Sequence, residues 1–270
     1  MRAAVRLVHP GPTAAVVALS AALGAVLLGQ SGQAPLSSRL GLTVLTVLGS
    51  QILTGALNDW ADRRRDAAAQ PAKPIPAGEI SPRRALSIAL AGLVMQLGAS
   101  IPLGLAPLAL GAAASASAAS YNLWLSRTPA SFVPYLVSFG LLPLWVAAGV
   151  GAPIERVAAA PWLVGPFAMA AHLANTLRDF EVDATVGSRN LAQVLGQRAG
   201  FGLAWGLGVA VGIGAGLALA IGEGLAIIPG MLGAGGLLAV AQGVAGPRRL
   251  WAGMLVAAVL WTAAWALATG

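Results

Sequence analysis

Cysteine is absent from the 270 residues, which excludes disulfide bridges and thiolate metal sites. Charge is scarce too. Asp, Glu, Lys and Arg make up 9% of the chain against 57% hydrophobic residues, and the mean hydropathy of +0.79 is too apolar for a soluble domain. Also missing is the alternating pattern of segments of roughly ten residues that marks a membrane barrel. Apolar runs of about 17 to 22 residues recur instead, the length needed to cross a bilayer as helix. Glycines stud residues 202–216, where they imply tight packing, but no strand precedes them and a nucleotide fingerprint is excluded.

Nine runs are present, at about 13–29, 40–57, 85–104, 106–124, 132–150, 160–177, 200–221, 225–242 and 250–268. They predict an all-α polytopic membrane protein, a nine-transmembrane-helix bundle around a central cavity, forming one integral membrane domain over residues 1–270. Placing the loops alternately on the two sides puts only Arg39 and Arg156 on one face and the other fourteen of the 16 cations on the opposite face. By the positive-inside rule, the N-terminus and both polar loops described below are expected in the cytoplasm, with the C-terminus outside, in a cell inner or plasma membrane. The net charge of +7 then marks the cytoplasmic face, and no soluble domain remains to bind nucleic acid.

The few acidic residues are concentrated. One stretch, NDWADRRRDAAAQPAKPIPAGEIS, runs from Asn58 to Ser81, and a second, NTLRDFEVDATVGSR, from Asn175 to Arg189. Asn58, Asp62 and Asp66 stand four apart, as do Asn175, Asp179 and Asp183, so each trio is expected along one helical face. Carboxylates stacked in this way repel one another unless a cation sits between them. Oxygen donors favour Mg²⁺ with coordination positions left open, which implies a diphosphate substrate. Charged residues at helix ends also cap, snorkel and set topology, and this blander role accounts well for any one of them.

Thr13 stands at a plausible cap position for the first run, after the Pro10-Gly11-Pro12 turn. Gln51 and Thr54 either face the interior or bond their own helix. Pro71, Pro74, Pro76 and Gly78 make residues 67–82 an ordered loop, and Lys73 inside it serves topology or contacts phosphate. The fourth run ends in the polar exit Tyr121-Asn122-Leu123-Trp124-Leu125-Ser126-Arg127, where Trp124 suits an interfacial belt. His172, one turn before Asn175, is expected to be a hydrogen-bonded structural residue.

At these residues the chain resembles the UbiA superfamily of intramembrane prenyltransferases. Asn58, Asp59, Asp62 and Asp66 match that family's Asn-Asp-x-x-Asp-x-x-x-Asp motif, and Lys73 to Ser81 (KPIPAGEIS) match the segment that follows it. Asp179 and Asp183 match its second Asp-x-x-x-Asp, with Arg178 beside it and Arg189 in a Gly-x-Arg/Lys-x-Leu-Ala tail. The family often carries Tyr-x-x-x-Lys after its fourth helix, whereas here Tyr121 is followed by Arg127 six residues on.

The resemblance implies Mg²⁺-dependent transfer of a prenyl group from a prenyl diphosphate donor to a small lipophilic or aromatic acceptor, most often an aromatic ring of the 4-hydroxybenzoate kind, releasing diphosphate. It implies that Asp62, Asp66, Asp179 and Asp183, with Asn58, hold the metals. Lys73, Arg127, Arg178 and Arg189, with Tyr121, would neutralise the leaving diphosphate. NDWADRRRD is similar to the 4-hydroxybenzoate branch and PAKPIPAGEIS to branches acting on tetrapyrroles and glyceryl lipids, so a non-aromatic acceptor stays open. A membrane terpene cyclase on the same scaffold is the alternative reaction, and a transporter or assembly scaffold the non-enzymatic one.

Overall fold

The computed structural model describes residues 2–185, 187–222 and 226–269, and no strand occurs among them. The chain forms two compact units, one made of Met1–Ser126 with Leu141–Ala158, the other of Arg127–Gly140 with Ala159–Gly270.

The first unit begins with α1 (Arg2–Leu7) and α2 (Pro10–Gln30). These lead to α3 (Ser38–Ala69), α4 (Pro82–Ser100) and α5 (Leu105–Leu123), and the unit also takes the later half of α6 (Val133–Val150). Serines start α3 and α4: the hydroxyls of Ser37 and Ser81 accept from the amides of Leu40 and Arg84 at 3.2 and 3.3 Å. The first run starts differently from expectation. Its N-cap is His9 rather than Thr13, which lies a turn inside α2 with its hydroxyl donated to the Val8 carbonyl at 2.7 Å.

Helices α3 and α4 touch backbone to backbone. A Cβ on Gly49 would lie 2.6 Å from the Gln96 nitrogen, and one on Gly92 would lie 2.6 Å from that of Leu53. A buried polar link adds α5, since the Ser115 hydroxyl donates to Gln96 Oε1 at 2.8 Å and lies 2.7 Å from that of Ser50. Leu7, Leu53, Leu57, Ile75 and Ile80 close one core; Val47, Ala114 and Trp145 form another. At the far end of this unit the guanidinium of Arg39 donates to the carbonyls of Gly149 and Leu103, both at 3.1 Å. Arg156 donates to the Ser31 hydroxyl at 2.9 Å and to the Leu27 carbonyl at the end of α2.

The second unit holds α7 (Pro161–Arg178), α8 (Phe180–Thr185), α9 (Leu191–Gly222), α10 (Ile227–Ala241) and α11 (Pro247–Thr269). Helix α9 is interrupted at Gly196, whose φ of 77° breaks the helical path before the expected seventh run. Leu173, Leu177, Ala204, Val240, Leu250 and Met254 form the core. Trp205 and Trp261 donate their indole N–H groups to the carbonyls of Ala241 and Gly233. Of the glycines on α9, Gly208 and Gly212 make room for Met254 and Trp261, while Gly202, Gly206 and Gly216 face open space. Glu223, between the seventh and eighth runs, and Leu225, the first residue of the eighth, lie outside the described residues.

Among the described residues each expected run overlaps a helix, and seven spans are long and apolar enough to cross a membrane. The fourth and sixth, α5 and α7, fall short of that standard. Ser115, Ser117, Ser120, Tyr121 and Asn122 reduce the hydropathy of the one; His172, Asn175, Thr176 and Arg178 reduce that of the other.

Candidate active site

Helix α3 runs three turns past its apolar stretch, and the helix itself therefore carries Asn58, Asp59, Asp62 and Asp66. The three carboxylates are buried, with Asp59 and Asp66 each 1% exposed and Asp62 7%. Burying acids together is unfavourable unless a cation accompanies them. Lys73 supplies it. The 70–80 loop turns back on itself, with the amides of Glu79 and Ile80 both bonded to the Pro74 carbonyl, and lowers the Lys73 ammonium between two carboxylates. Its Nζ lies 2.8 Å from Asp66 Oδ2 and 3.1 Å from Asp59 Oδ1. Burial alone would pull this ammonium's pKa down, but the hydrogen bond to Asp66 and the charges of Asp59 and Asp66 together hold it above the ordinary lysine value.

Asn58 points elsewhere. Its amide donates to Asn122 Oδ1 at 3.3 Å, and the Asn122 amide donates to the Thr54 carbonyl at 2.8 Å, which ties the polar exit of α5 to α3 beside half-buried Tyr121. Thr54 bonds its own helix through the Ser50 carbonyl. Arg63 lies over the Trp60 ring at 4.7 Å, and Trp124 is exposed as a belt residue would be.

The second acidic stretch departs from the expected single helical face. Helix α7 stops at Arg178, Asp179 is its C-cap at φ −104° and ψ 14°, and α8 starts afresh at Phe180. The amide of Asp183 still donates to the Asp179 carbonyl at 2.9 Å, so the break is a single residue. Asp183 is buried and accepts from the Asn190 amide at 2.8 Å, whereas Asp179 is exposed. Arg178 donates to Asn175 Oδ1 at 3.1 Å and stacks over Trp251 at 4.6 Å. The amide of Arg189 donates to the carbonyl of Arg127 at 3.1 Å, bringing two expected phosphate-binding residues together.

His172 is held by stacking and a polar contact. It is buried, stacks on Tyr135 at 4.1 Å and lies 3.4 Å from the Ser131 hydroxyl, which accepts from the Leu191 amide at the start of α9. Sequence reasoning passed over four polar residues: Arg6, His9, Asn122 and Asn190. Asn122 lay in the polar exit of the fourth run and Asn190 at an unspecified position of the Gly-x-Arg/Lys-x-Leu-Ala tail, whereas Arg6 and His9 are lone residues whose partners depend on the tertiary fold.

Among the described residues no three carboxylate or imidazole groups converge into a preformed metal cage. Hard cations that keep substrate oxygens as ligands need no such cage, because one or two carboxylates suffice. The residues present fit such an ion by donor type, being carboxylate and amide oxygens, and by charge, since the buried acids of α3 already hold a monovalent ammonium.

The profile of the UbiA prenyltransferase family matches residues 17–249. The digeranylgeranylglyceryl phosphate synthase of Natronomonas pharaonis is 31% identical over 201 residues, covering 73% of this chain and 70% of that one. The synthase of the same name from Methanopyrus kandleri is 32% identical over 211 residues, covering 73% and 71%. A solved UbiA homolog from Archaeoglobus fulgidus, bound to GPP and Mg²⁺, shares the fold with a TM-score of 0.68 at 18% identity, over 99% of both chains.

Proposed function

The chain belongs to the UbiA prenyltransferase family and is an integral membrane prenyltransferase, and on that footing we propose that it moves a prenyl group from a prenyl diphosphate onto a hydroxyl of a glyceryl phosphate lipid. The observation that carries the donor half is Lys73. A half-buried ammonium gripped by buried Asp59 and Asp66 makes the polar end of α3 a place built to balance charge, beside the acids that suit a divalent ion. The acceptor half rests on the two synthases, each about a third identical and named for digeranylgeranylglyceryl phosphate. They shift the reading from the aromatic ring favoured by the sequence to the glyceryl lipid it held open.

In the proposed reaction the allylic C1–O bond of the donor breaks and its electron pair leaves with the diphosphate. The acceptor's hydroxyl oxygen bonds to C1 and gives up its proton to the released diphosphate. Asp62, Asp66, Asp179 and Asp183, with Asn58 and Asn175, would hold Mg²⁺, which when bound offsets charge on the leaving group. Lys73, Arg127, Arg178 and Arg189, with Tyr121, bind and orient the diphosphate through fixed donors that need no reorganisation as charge develops. Asn190 holds the Asp183 carboxylate in place, and Asn122 holds Asn58. Donor and acceptor tails both partition into the hydrocarbon that the apolar spans occupy.

Purified protein incubated with prenyl diphosphates of several lengths and Mg²⁺ decides the matter by mass spectrometry. Product is expected with a glyceryl phosphate lipid, and little with 4-hydroxybenzoate. Prenylated 4-hydroxybenzoate as the main product would overturn the acceptor, and a hydrocarbon or terpene alcohol formed without acceptor would make the protein a cyclase. We place the N-terminus and both acidic stretches in the cytoplasm; a tag at residues 63–73 reachable only from outside the cell would reverse that orientation.

A further inference from the structure

We propose that residues 2–9 are a strap that sets the position of the Lys73 loop over α3, with Arg6 and His9 as positioning residues for the donor diphosphate. The strap's fit to the structure is independent of the reaction; its kinetic consequence rests on the reading under Proposed function.

Four contacts define the strap. Leu7 is fully buried in the core that contains Leu53 and Leu57 of α3 and Ile75 and Ile80 of the loop, so one apolar cluster joins all three segments. The backbone of Val8 rides directly on α3 because residue 55 is glycine; a Cβ there would stand 3.0 Å from the Val8 carbonyl carbon. Arg6 then grips the loop on both sides. Its Nη1 donates to Glu79 Oε1 and Oε2 at 2.8 and 3.0 Å, and its Nη2 to the carbonyl of Ala72, the residue before Lys73. Last, His9 Nε2 lies 3.1 Å from Asp59 Oδ1, the oxygen that also faces Lys73 Nζ.

His9 makes this possible through its backbone as well. With φ 52° and ψ 69° it is the one non-glycine among the described residues with positive φ, and the left-handed step swings the chain from the strap into α2. Beneath the strap an open hollow of about 460 Å³ is lined by Arg6, His9, Asp59, Gln70, Lys73 and Pro74. Beside this hollow the loop is held by polar pins in addition to the Leu7 cluster, so loss of a pin loosens the loop without unmaking the core. The Arg6–Glu79 pair is 47% and 39% exposed, and an exposed ion pair is too weak to decide folding. It is strong enough to bias where a loop rests.

Arg6→Ala is expected to raise the donor KM about fivefold, a change of the size an exposed pair supplies. Acceptor KM and the saturated rate should stay within about twofold. Hydrogen exchange at the amides of Ala77, Gly78, Glu79 and Ile80 should quicken by a similar factor. Glu79→Ala should match it, the double variant should be no worse than either single one, and the swap Arg6→Glu with Glu79→Arg should recover most of the loss. His9→Asn, which tolerates the left-handed backbone but is too short to span to Asp59, should show the same donor-specific pattern. The strap is refuted if loop exchange is unchanged in Arg6→Ala, if the two Ala substitutions add, or if acceptor KM moves instead of donor KM. A wild type inert toward prenyl diphosphates with Mg²⁺ would sink the proposed function instead, and the exchange measurements would still decide the strap.

Discussion

Replacing Lys73 by Met keeps the length of the side chain and deletes its charge. The consequence can be worked from the site. Asp59 and Asp66 are each 1% exposed, and Lys73 Nζ approaches them at 3.1 and 2.8 Å. Removing one partner of a buried ion pair leaves an uncompensated charge, and because Lys73 retains 18% side-chain exposure we take the lower end of that penalty, about 3 kcal/mol. Either the loop lifts to admit water or a carboxylate takes up a proton. Both spoil the donor site, so donor KM should rise more than about tenfold while acceptor KM holds. Melting in detergent should fall by about 6–12 °C, and Lys73→Arg should recover most of it. The pKa of Lys73 is raised in the folded protein, so its stabilisation is fully present below the unfolded value near 10.5 and fades only as pH climbs through the folded one. Melting and donor KM should accordingly show no Lys73-dependent change between about pH 7 and 9. A Lys73→Met protein that melts within a degree or two of wild type and binds donor equally well would show that the ammonium neutralises nothing, and the reasoning would fail.

Asp62→Asn and Asp179→Asn, made separately, should each cut Mg²⁺-dependent turnover about a thousandfold with the fold intact, equivalent to about 4 kcal/mol of barrier; near-normal turnover in either would remove that carboxylate from the metal site. Asn190→Leu deletes the donor to buried Asp183 and should cost about 1–3 kcal/mol, together with a higher Mg²⁺ requirement, measured by melting and metal titration; unchanged values in both would leave Asn190 without a positioning role. Gly92→Val drives a side chain into the backbone of Leu53 and should lower stability by about 1–3 kcal/mol or more, whereas Gly98→Val, facing open space, should be neutral by the same melting assay.

Apolar runs foretold the helices because a bilayer demands a continuous hydrophobic stretch, and the α3 acids were legible because their four-residue spacing survives as helix in the fold. The same spacing misled at Asp179. The segment RDFEVDAT has neither glycine nor proline to announce a break, and the hydrogen bond from Asp183 to Asp179 keeps the register across it. The Lys73 loop was visible in its prolines, but the partners of its lysine were not, since the helical repeat selects Asn58, Asp62 and Asp66 while the loop closes on Asp59 and Asp66. Arg6 and His9 read only as N-terminal cations and a turn, because their partners lie 73 and 50 positions away. Local pattern has no access to such contacts.

Arg39 and Arg156 break the charge asymmetry of this chain, yet both spend their donors on carbonyls at helix ends, where a cation also meets the negative pole of the helix dipole. A redesign that neutralised them to sharpen the topological signal for insertion would therefore uncap the ends of α2 and α6. At those two positions, directing biogenesis and stabilising the finished protein pull against each other, so expression yield and thermal stability should move in opposite directions when they are changed.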